Sequence, residues 1–319
     1  MSFQLAVSAL SIAVGLASSS PAVAAEQAVS IQIDSGVLHG TLPLPSGDAK
    51  VPDVLIIAGS GPTDRDGNQS NMKNNSLRLL AAELSNRGIA SLRFDKRGVA
   101  RSGPATVREE NLRFDIFVRD AERWARFLAD VPTISRLVLV GHSEGALVGT
   151  LAAQEVQVAG LVSIAGAGTR ASELIRAQLE KSEMPSRLRS TAELILEWLR
   201  RGRRVEKVPS TLNSLFRPSI QPYLMSWFKF DPVVELAQLS TPVLVVQGTN
   251  DLQIDITNAL KLKSAGPHVR MAWIPEMNHI LKSAPRERSS NFATYTNPDL
   301  PLADGLIEAI ARFVLQLGT

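Results

Sequence analysis

Leu137-Val138-Leu139-Val140-Gly141-His142-Ser143-Glu144-Gly145-Ala146-Leu147-Val148 is the stretch on which the reading of this chain turns. Four consecutive apolar residues suit a strand buried on both faces. The G-x-S-x-G pattern of residues 141–145 follows at once, and a helix starts directly after it. A serine on such a sharp turn is held in a strained backbone conformation with its Oγ above the sheet edge. A Cβ at either flanking glycine would collide with the neighbouring strand or helix. The helix N-terminus beneath the serine also favours developing negative charge. The plainer alternative is an ordinary turn with an N-capping serine, and the strand and helix together speak against it.

Outward from this turn, short apolar runs alternate with amphipathic segments. That is the pattern of an α/β fold, a mostly parallel central sheet flanked by helices. Residues 31–33 and 37–42 alternate like a hairpin about Asp34-Ser35-Gly36. Val54-Leu55-Ile56-Ile57-Ala58 predicts a buried strand that ends abruptly at Gly59-Ser60-Gly61-Pro62. Helices are predicted over 75–87, 112–129 and 306–317, and further strands over 89–94, 161–164, 243–246 and 271–274. From Thr169 to about Asp231 the pattern is helical only, rich in Glu and Arg. It reads as a cap inserted in a core formed by residues 26–168 and 232–319.

The 319 residues are 45% hydrophobic and 20% charged, which is globular, and the formal net charge is only +3. Much of the basic excess lies in residues 187–207 with no nucleic-acid motif around it, so a solvated helical face is expected and nucleic acid is not a partner. Residues 3–17 are apolar, and Ala22-Val23-Ala24-Ala25 offers small residues in a cleavage pattern. Residues 1–25 therefore read as a signal peptide, with a secreted or periplasmic mature chain and no stable membrane association after cleavage. The chain has no cysteine, which excludes disulfides, thiolate metal sites and a lipid-modified cysteine anchor.

A lone serine needs a base, itself oriented by a third group. Of four histidines, His142 adjoins the serine and should point away, His39 lies in the hairpin, and His268 precedes the last strand. Only His279 follows that strand, where a loop emerges on the same edge as Ser143. Active sites of such sheets lie beyond the carboxyl ends of the strands. The acid should come from the loop Gln247-Gly248-Thr249-Asn250-Asp251 after another strand. Asp251 is the first choice there, Asp255 the alternative and Asp231 more remote. The oxyanion donors are expected to be the backbone N–H groups of Glu144 and Ser60, with Gly61 as alternative. A phosphate loop is disfavoured, because no Gly-Lys-Ser/Thr follows residues 59–62. This chemistry needs neither cofactor nor metal.

The order Ser143, Asp251, His279 in these strand contexts resembles the α/β-hydrolase superfamily. Residues 59–68, Gly-Ser-Gly-Pro-Thr-Asp-Arg-Asp-Gly-Asn, are similar to a box in bacterial esterase-like members grouped with serine aminopeptidase-type or prolyl-oligopeptidase-type hydrolases. Phe94-Asp95-Lys96-Arg97-Gly98 and Arg101-Ser102-Gly103 resemble the superfamily's segment after its fourth strand. Ala58 departs from it where many members carry histidine. The resemblance implies acyl transfer to water and leaves the substrate open.

Asp64, Arg65 and Asp66 read either as an internally paired turn, the preferred view, or as a substrate-carboxylate contact through Arg65. Asp95 and Arg97 read as braces. In the cap, Trp198, Phe216, Tyr223, Leu224, Met225, Trp227 and Phe228 read either as the cap's own core or as the apolar lining of a pocket suited to a carboxylic ester with a short to medium acyl chain. A peptidase would need a carboxylate anchor for a free amine, for which Glu173, Glu180, Glu193 and Glu197 are candidates. Thioester or lactone hydrolysis fits the same set, and a non-catalytic binding module would have no use for it.

Overall fold

The computed structural model describes residues 26–43 and 50–318. The signal peptide expected over residues 1–25 lies outside them. Among the described residues, eight strands form one sheet: β1 (Glu26–Ile33), β2 (Gly36–Pro43), β3 (Val51–Ile57), β4 (Ala90–Phe94), β5 (Ile134–His142), β6 (Gly160–Ile164), β7 (Val243–Gly248) and β8 (Val269–Ile274). Their order is β1-β2-β4-β3-β5-β6-β7-β8. β2 pairs antiparallel with β1 and β4, and every pairing from β4 through β8 is parallel. The hairpin is longer than the apolar pattern suggests. Cross-strand pairing with β2 extends β1 back to Glu26 although most of those added residues are solvent-facing.

The central strands are apolar on both faces because both are covered. From β3 and β5, Val54, Ile56, Val138 and Val140 pack with α1 (Ser76–Ser85) on one side. Leu55, Ile57 and Leu139 meet α2 (Phe114–Ala129) and α3 (Glu144–Glu155) on the other. Side chains alternate across a strand, so one run feeds two cores. Between β6 and β7 the chain passes through α4 (Ala171–Glu180), α5 (Ser186–Arg200), α6 (Asn213–Phe216), α7 (Gln221–Trp227) and α8 (Pro232–Ala237). Then α9 (Ile256–Lys263) precedes β8, and α10 (Arg288–Ala293) and α11 (Leu306–Gln316) close the chain, α11 packing with α1 in the first core. Aromatic contacts fix α7 to α2. Phe114 stacks on Trp227 at 5.6 Å between ring centroids, and Phe117 meets Tyr223 edge-on at 5.9 Å.

β3 begins three residues before its predicted start and includes Pro52 and Asp53. Proline lacks a ladder N–H and is tolerated at a bulge or a strand's beginning. Here the β3–β5 register shifts between Val51 and Pro52, and pairing with β4 begins only at Asp53. Asp53 is fully buried and neither carboxylate oxygen meets a partner of full hydrogen-bond geometry. Burial pushes its carboxyl well above its ordinary 3.8, and the nearby Leu92 backbone offsets only part of this.

The folded chain thus keeps a proton that the unfolded chain gives up above that ordinary value. Stability is lost as pH rises beyond it. Asp53→Asn should remove this component. The melting temperature of the native chain should exceed the variant's most near pH 4 and lose that lead toward neutrality. A gap that stays constant with pH would show that Asp53 is not held protonated.

Candidate active site

Ser143 sits between β5 and α3 with φ 55° and ψ −118°, outside the regions a side chain normally takes. The turn is held because its neighbours have no room to relax. A Cβ on Gly141 would run into the Gly145 carbonyl, and one on Gly145 into the carbonyls of Ile57 and Ala58. The Ser143 N–H donates to the Ile164 carbonyl at the end of β6, 2.9 Å away, tying the turn to the next strand.

The loop after β8 brings His279 to this serine, with Nε2 3.1 Å from Ser143 Oγ. Its Nδ1 lies 2.8 Å from Asp251 Oδ2. Asp251, in the loop after β7, is itself fixed: Oδ1 accepts the backbone N–H groups of Gln253 at 2.8 Å and Ile254 at 2.9 Å. The structure therefore brings together Ser143, His279 and Asp251, all from carboxyl ends of parallel strands. Asp255 is elsewhere. It caps α9 through the Thr257 N–H at 3.1 Å and faces Lys181 at 3.4 Å. Asp231 caps α8 through the Val233 N–H at 3.2 Å. His39 remains in the hairpin, its N–H on Ser102 Oγ, and His268 reaches the Leu236 carbonyl.

His142 does turn from the serine, yet it is not idle. Its Nε2 lies 2.8 Å from the His279 carbonyl oxygen, and the two rings stand 5.0 Å apart. Burial, with help from neighbouring His279, lowers its pKa to about 4. The neutral ring therefore donates from Nε2 and props the His279 loop.

Ser60, Gly61, Ser143, Glu144 and His279 line one cavity of about 760 Å³. Neither the Ser60 nor the Glu144 N–H is engaged by another described backbone group. The Ser60 carbonyl is pinned by Thr63 Oγ1 at 2.9 Å and Gln69 Nε2 at 3.0 Å. The next residues pair differently from the expected internal turn. Arg65 grips Asp95 with Nε and Nη2 at 3.0 and 2.6 Å, and Asp66 meets Arg93 on β4. Asp64 accepts the N–H groups of Asp66 and Asn68. Three adjacent residues cannot all face one another, and the neighbouring strand supplies the partners. Arg97 likewise braces α2 through Asp120, at 2.7 and 2.5 Å.

Of the apolar residues expected over the site, Tyr223, Leu224 and Trp227 line the cavity. Phe216 and Phe228 are buried in packing, whereas Trp198 is 50% exposed. The candidate glutamates Glu173, Glu180, Glu193 and Glu197 do not line it. The cavity's carboxylates are Glu109 and Glu144. Glu109 is gripped by Arg217 at 2.9 and 2.5 Å, which holds it below its usual range. Glu144 meets Lys96 Nζ at 3.0 Å and the Tyr223 hydroxyl at 2.5 Å. Burial, then the Glu144 charge, push the Tyr223 phenol well above its ordinary range, so it remains a donor. Among the described residues, no group of three or more His, Asp or Glu is arranged to hold a metal ion.

A mostly parallel eight-stranded sheet with a serine on a strained strand-to-helix turn defines an α/β-hydrolase. Within that class the chain belongs to the family described as serine aminopeptidase, S33, whose model matches residues 73–283. It is 29% identical over 250 residues to Esterase EstD of Thermotoga maritima, covering 77% of this chain and 58% of that protein. The chain thus spans little more than half the length of that curated relative. Est1E from Butyrivibrio proteoclasticus shares the fold, with a TM-score of 0.59 at 16% identity over 90% of this chain and 96% of that one. The Pyrococcus furiosus esterase Pf2001 gives 0.55 at 14% identity, covering 92% and 94%.

Two predictions follow from this geometry. Asp251→Asn should lower kcat by about three to four orders of magnitude by favouring the wrong imidazole tautomer. Asp255→Ala should cost only a helix cap, about 1 kcal/mol by thermal melting. Equal losses of activity would remove Asp251 from its distinguished position. For His142, the folded chain resists a proton that the unfolded chain takes up below about pH 6.5. Stability therefore climbs between about pH 4 and pH 6.5 on its account. His142→Gln should flatten that part of a melting-temperature profile, and an unchanged slope would contradict the buried neutral ring.

Proposed function

We propose that this protein is a serine hydrolase that cleaves small carboxylic esters through an acyl-enzyme on Ser143. The observation that carries the reading is the hydrogen-bonded line Asp251–His279–Ser143, whose His279 and Ser143 line a cavity shared with Phe117, Leu147 and Trp227. In the proposed cycle His279 Nε2 takes the Ser143 proton as Oγ attacks the ester carbonyl. The tetrahedral oxyanion accepts the N–H groups of Ser60 and Glu144. His279 then returns the proton to the departing alcohol. Water, deprotonated by the same nitrogen, attacks the acyl-enzyme, and His279 passes that proton to Ser143 Oγ as the Oγ–acyl bond breaks and the acid leaves. Asp251 keeps Nδ1 protonated and steadies the imidazolium. The helices between β6 and β7 act as a cap over this space, and export directed by residues 1–25 is part of the same reading.

Aminopeptidase action is the second reading, because the family description carries that name. It requires a carboxylate free to hold a substrate ammonium. Both carboxylates lining the cavity are already occupied, Glu109 by Arg217 and Glu144 by Lys96 and Tyr223. An ester needs no such anchor, and the curated relative is named an esterase.

A panel of p-nitrophenyl esters of increasing acyl length, run beside aminoacyl-p-nitroanilides, separates the two. The expected result is turnover of the esters with kcat/KM at least about a hundredfold above any anilide, a gap of roughly 3 kcal/mol in transition-state binding. Preferential cleavage of the anilides would reverse the assignment.

A further inference from the structure

Glu144 presents a difficulty for the chemistry just described. Its backbone N–H is an oxyanion donor, yet its own carboxylate lies one residue from Ser143 and is 2% exposed. A bare negative charge there would oppose the oxyanion across a low-dielectric space. The side chain that answers it comes from a third loop. Lys96, just after β4, is buried, and its Nζ sits 3.0 Å from Glu144 Oε1. The same Nζ donates to the Gly59 carbonyl at 3.0 Å and lies 4.3 Å from the centre of the Phe117 ring.

The sheet order makes this reach possible. β4, β3 and β5 are adjacent, so the loops after them stand in a row. Gly59 precedes Ser60, the donor after β3, and Glu144 is the donor after β5. An ammonium from the β4 loop therefore touches both segments that supply the oxyanion hole. On the cap side, the Tyr223 hydroxyl donates to Glu144 Oε2 at 2.5 Å.

Resting on the esterase reading above, we propose that Lys96 is a positioning residue for the oxyanion hole, where it neutralises Glu144 and ties the Gly59–Ser60 loop to α3. Tyr223, an uncharged donor, satisfies the second oxygen of the same carboxylate and couples the cap to it. The two donors to Glu144 thus set both the distance between the oxyanion N–H groups and the potential they present.

The test uses the full chain, one p-nitrophenyl ester and a trifluoromethyl ketone, which Ser143 converts to a tetrahedral hemiketal anion. Lys96→Met should lower kcat about ten- to a hundredfold, less than deletion of a whole oxyanion donor, with KM within about twofold. Affinity for the trifluoromethyl ketone should fall by the same factor. Adding Glu144→Gln to Lys96→Met should recover most of the loss, because the double variant holds no uncompensated charge. A purely structural role predicts no such recovery, and its absence overturns the proposal, as does full activity of Lys96→Met. Should Lys96→Met not fold, Tyr223→Phe carries the test. A several-fold drop in kcat matched by the ketone affinity supports the proposal, and no drop in either overturns it. If the unaltered protein neither turns over the ester nor binds the ketone, the esterase reading falls and takes this inference with it.

Discussion

The close approach of Gly145 to the end of β3 is the constraint on which the rest of the molecule depends. Because neither Gly141 nor Gly145 carries a Cβ, α3 can press against the Ile57 and Ala58 carbonyls. That contact holds Ser143 at a positive φ and aims its side chain out of the sheet. The buried runs of β3 and β5 hold the turn from below, and the Ile164 carbonyl holds it from the side. The strain of such a residue, on the order of 1–3 kcal/mol, persists only because the surroundings over-determine it. Once the turn is fixed, the parallel strand order decides what else can reach the serine. Loops after β7 and β8 deliver Asp251 and His279, and loops after β3 and β4 deliver Ser60 and Lys96.

Charge around the turn is handled in pairs. Lys96 with Glu144, Arg217 with Glu109, Arg97 with Asp120 and Arg65 with Asp95 are all within hydrogen-bond distance. Removing one partner of a buried pair leaves an uncompensated charge, a far larger penalty than losing the pair together. The cavity consequently presents paired charge and apolar walls. Among the described residues, the carboxylate held against an imidazole is Asp251, behind His279 and outside the cavity lining.

Much of this was legible in the sequence, and the parts that were not share a cause. Apolar runs announced the inner strands, and the strand-turn-helix around residues 141–145 announced the elbow, since both signals are local. Chain order then narrowed the histidines to His279. Asp251 and Asp255 lie four residues apart and cannot be separated by order alone. Asp255-Ile256-Thr257 ahead of a helical pattern is, however, an N-cap signature that marks Asp255 as structural. The predicted β3 started too late, because the apolar run that marks it begins only at Val54, whereas a protonated carboxyl such as that of Asp53 can enter the interior. The prop from His142 to His279 spans 137 residues, and Glu144 meets Lys96 and Tyr223 across 48 and 79. No sequence pattern encodes such meetings; the sheet order creates them. The pairing of Arg65 with Asp95 instead of its neighbours has the same origin.

The account stands or falls on Ser143 being the activated nucleophile of a folded protein. Incubation with a fluorophosphonate, followed by peptide mass mapping, tests this most directly. The account predicts one adduct, on the peptide carrying Ser143, abolished by His279→Ala and by unfolding before exposure. An unmodified Ser143 in folded protein, or a label on another residue that survives His279→Ala, would contradict it.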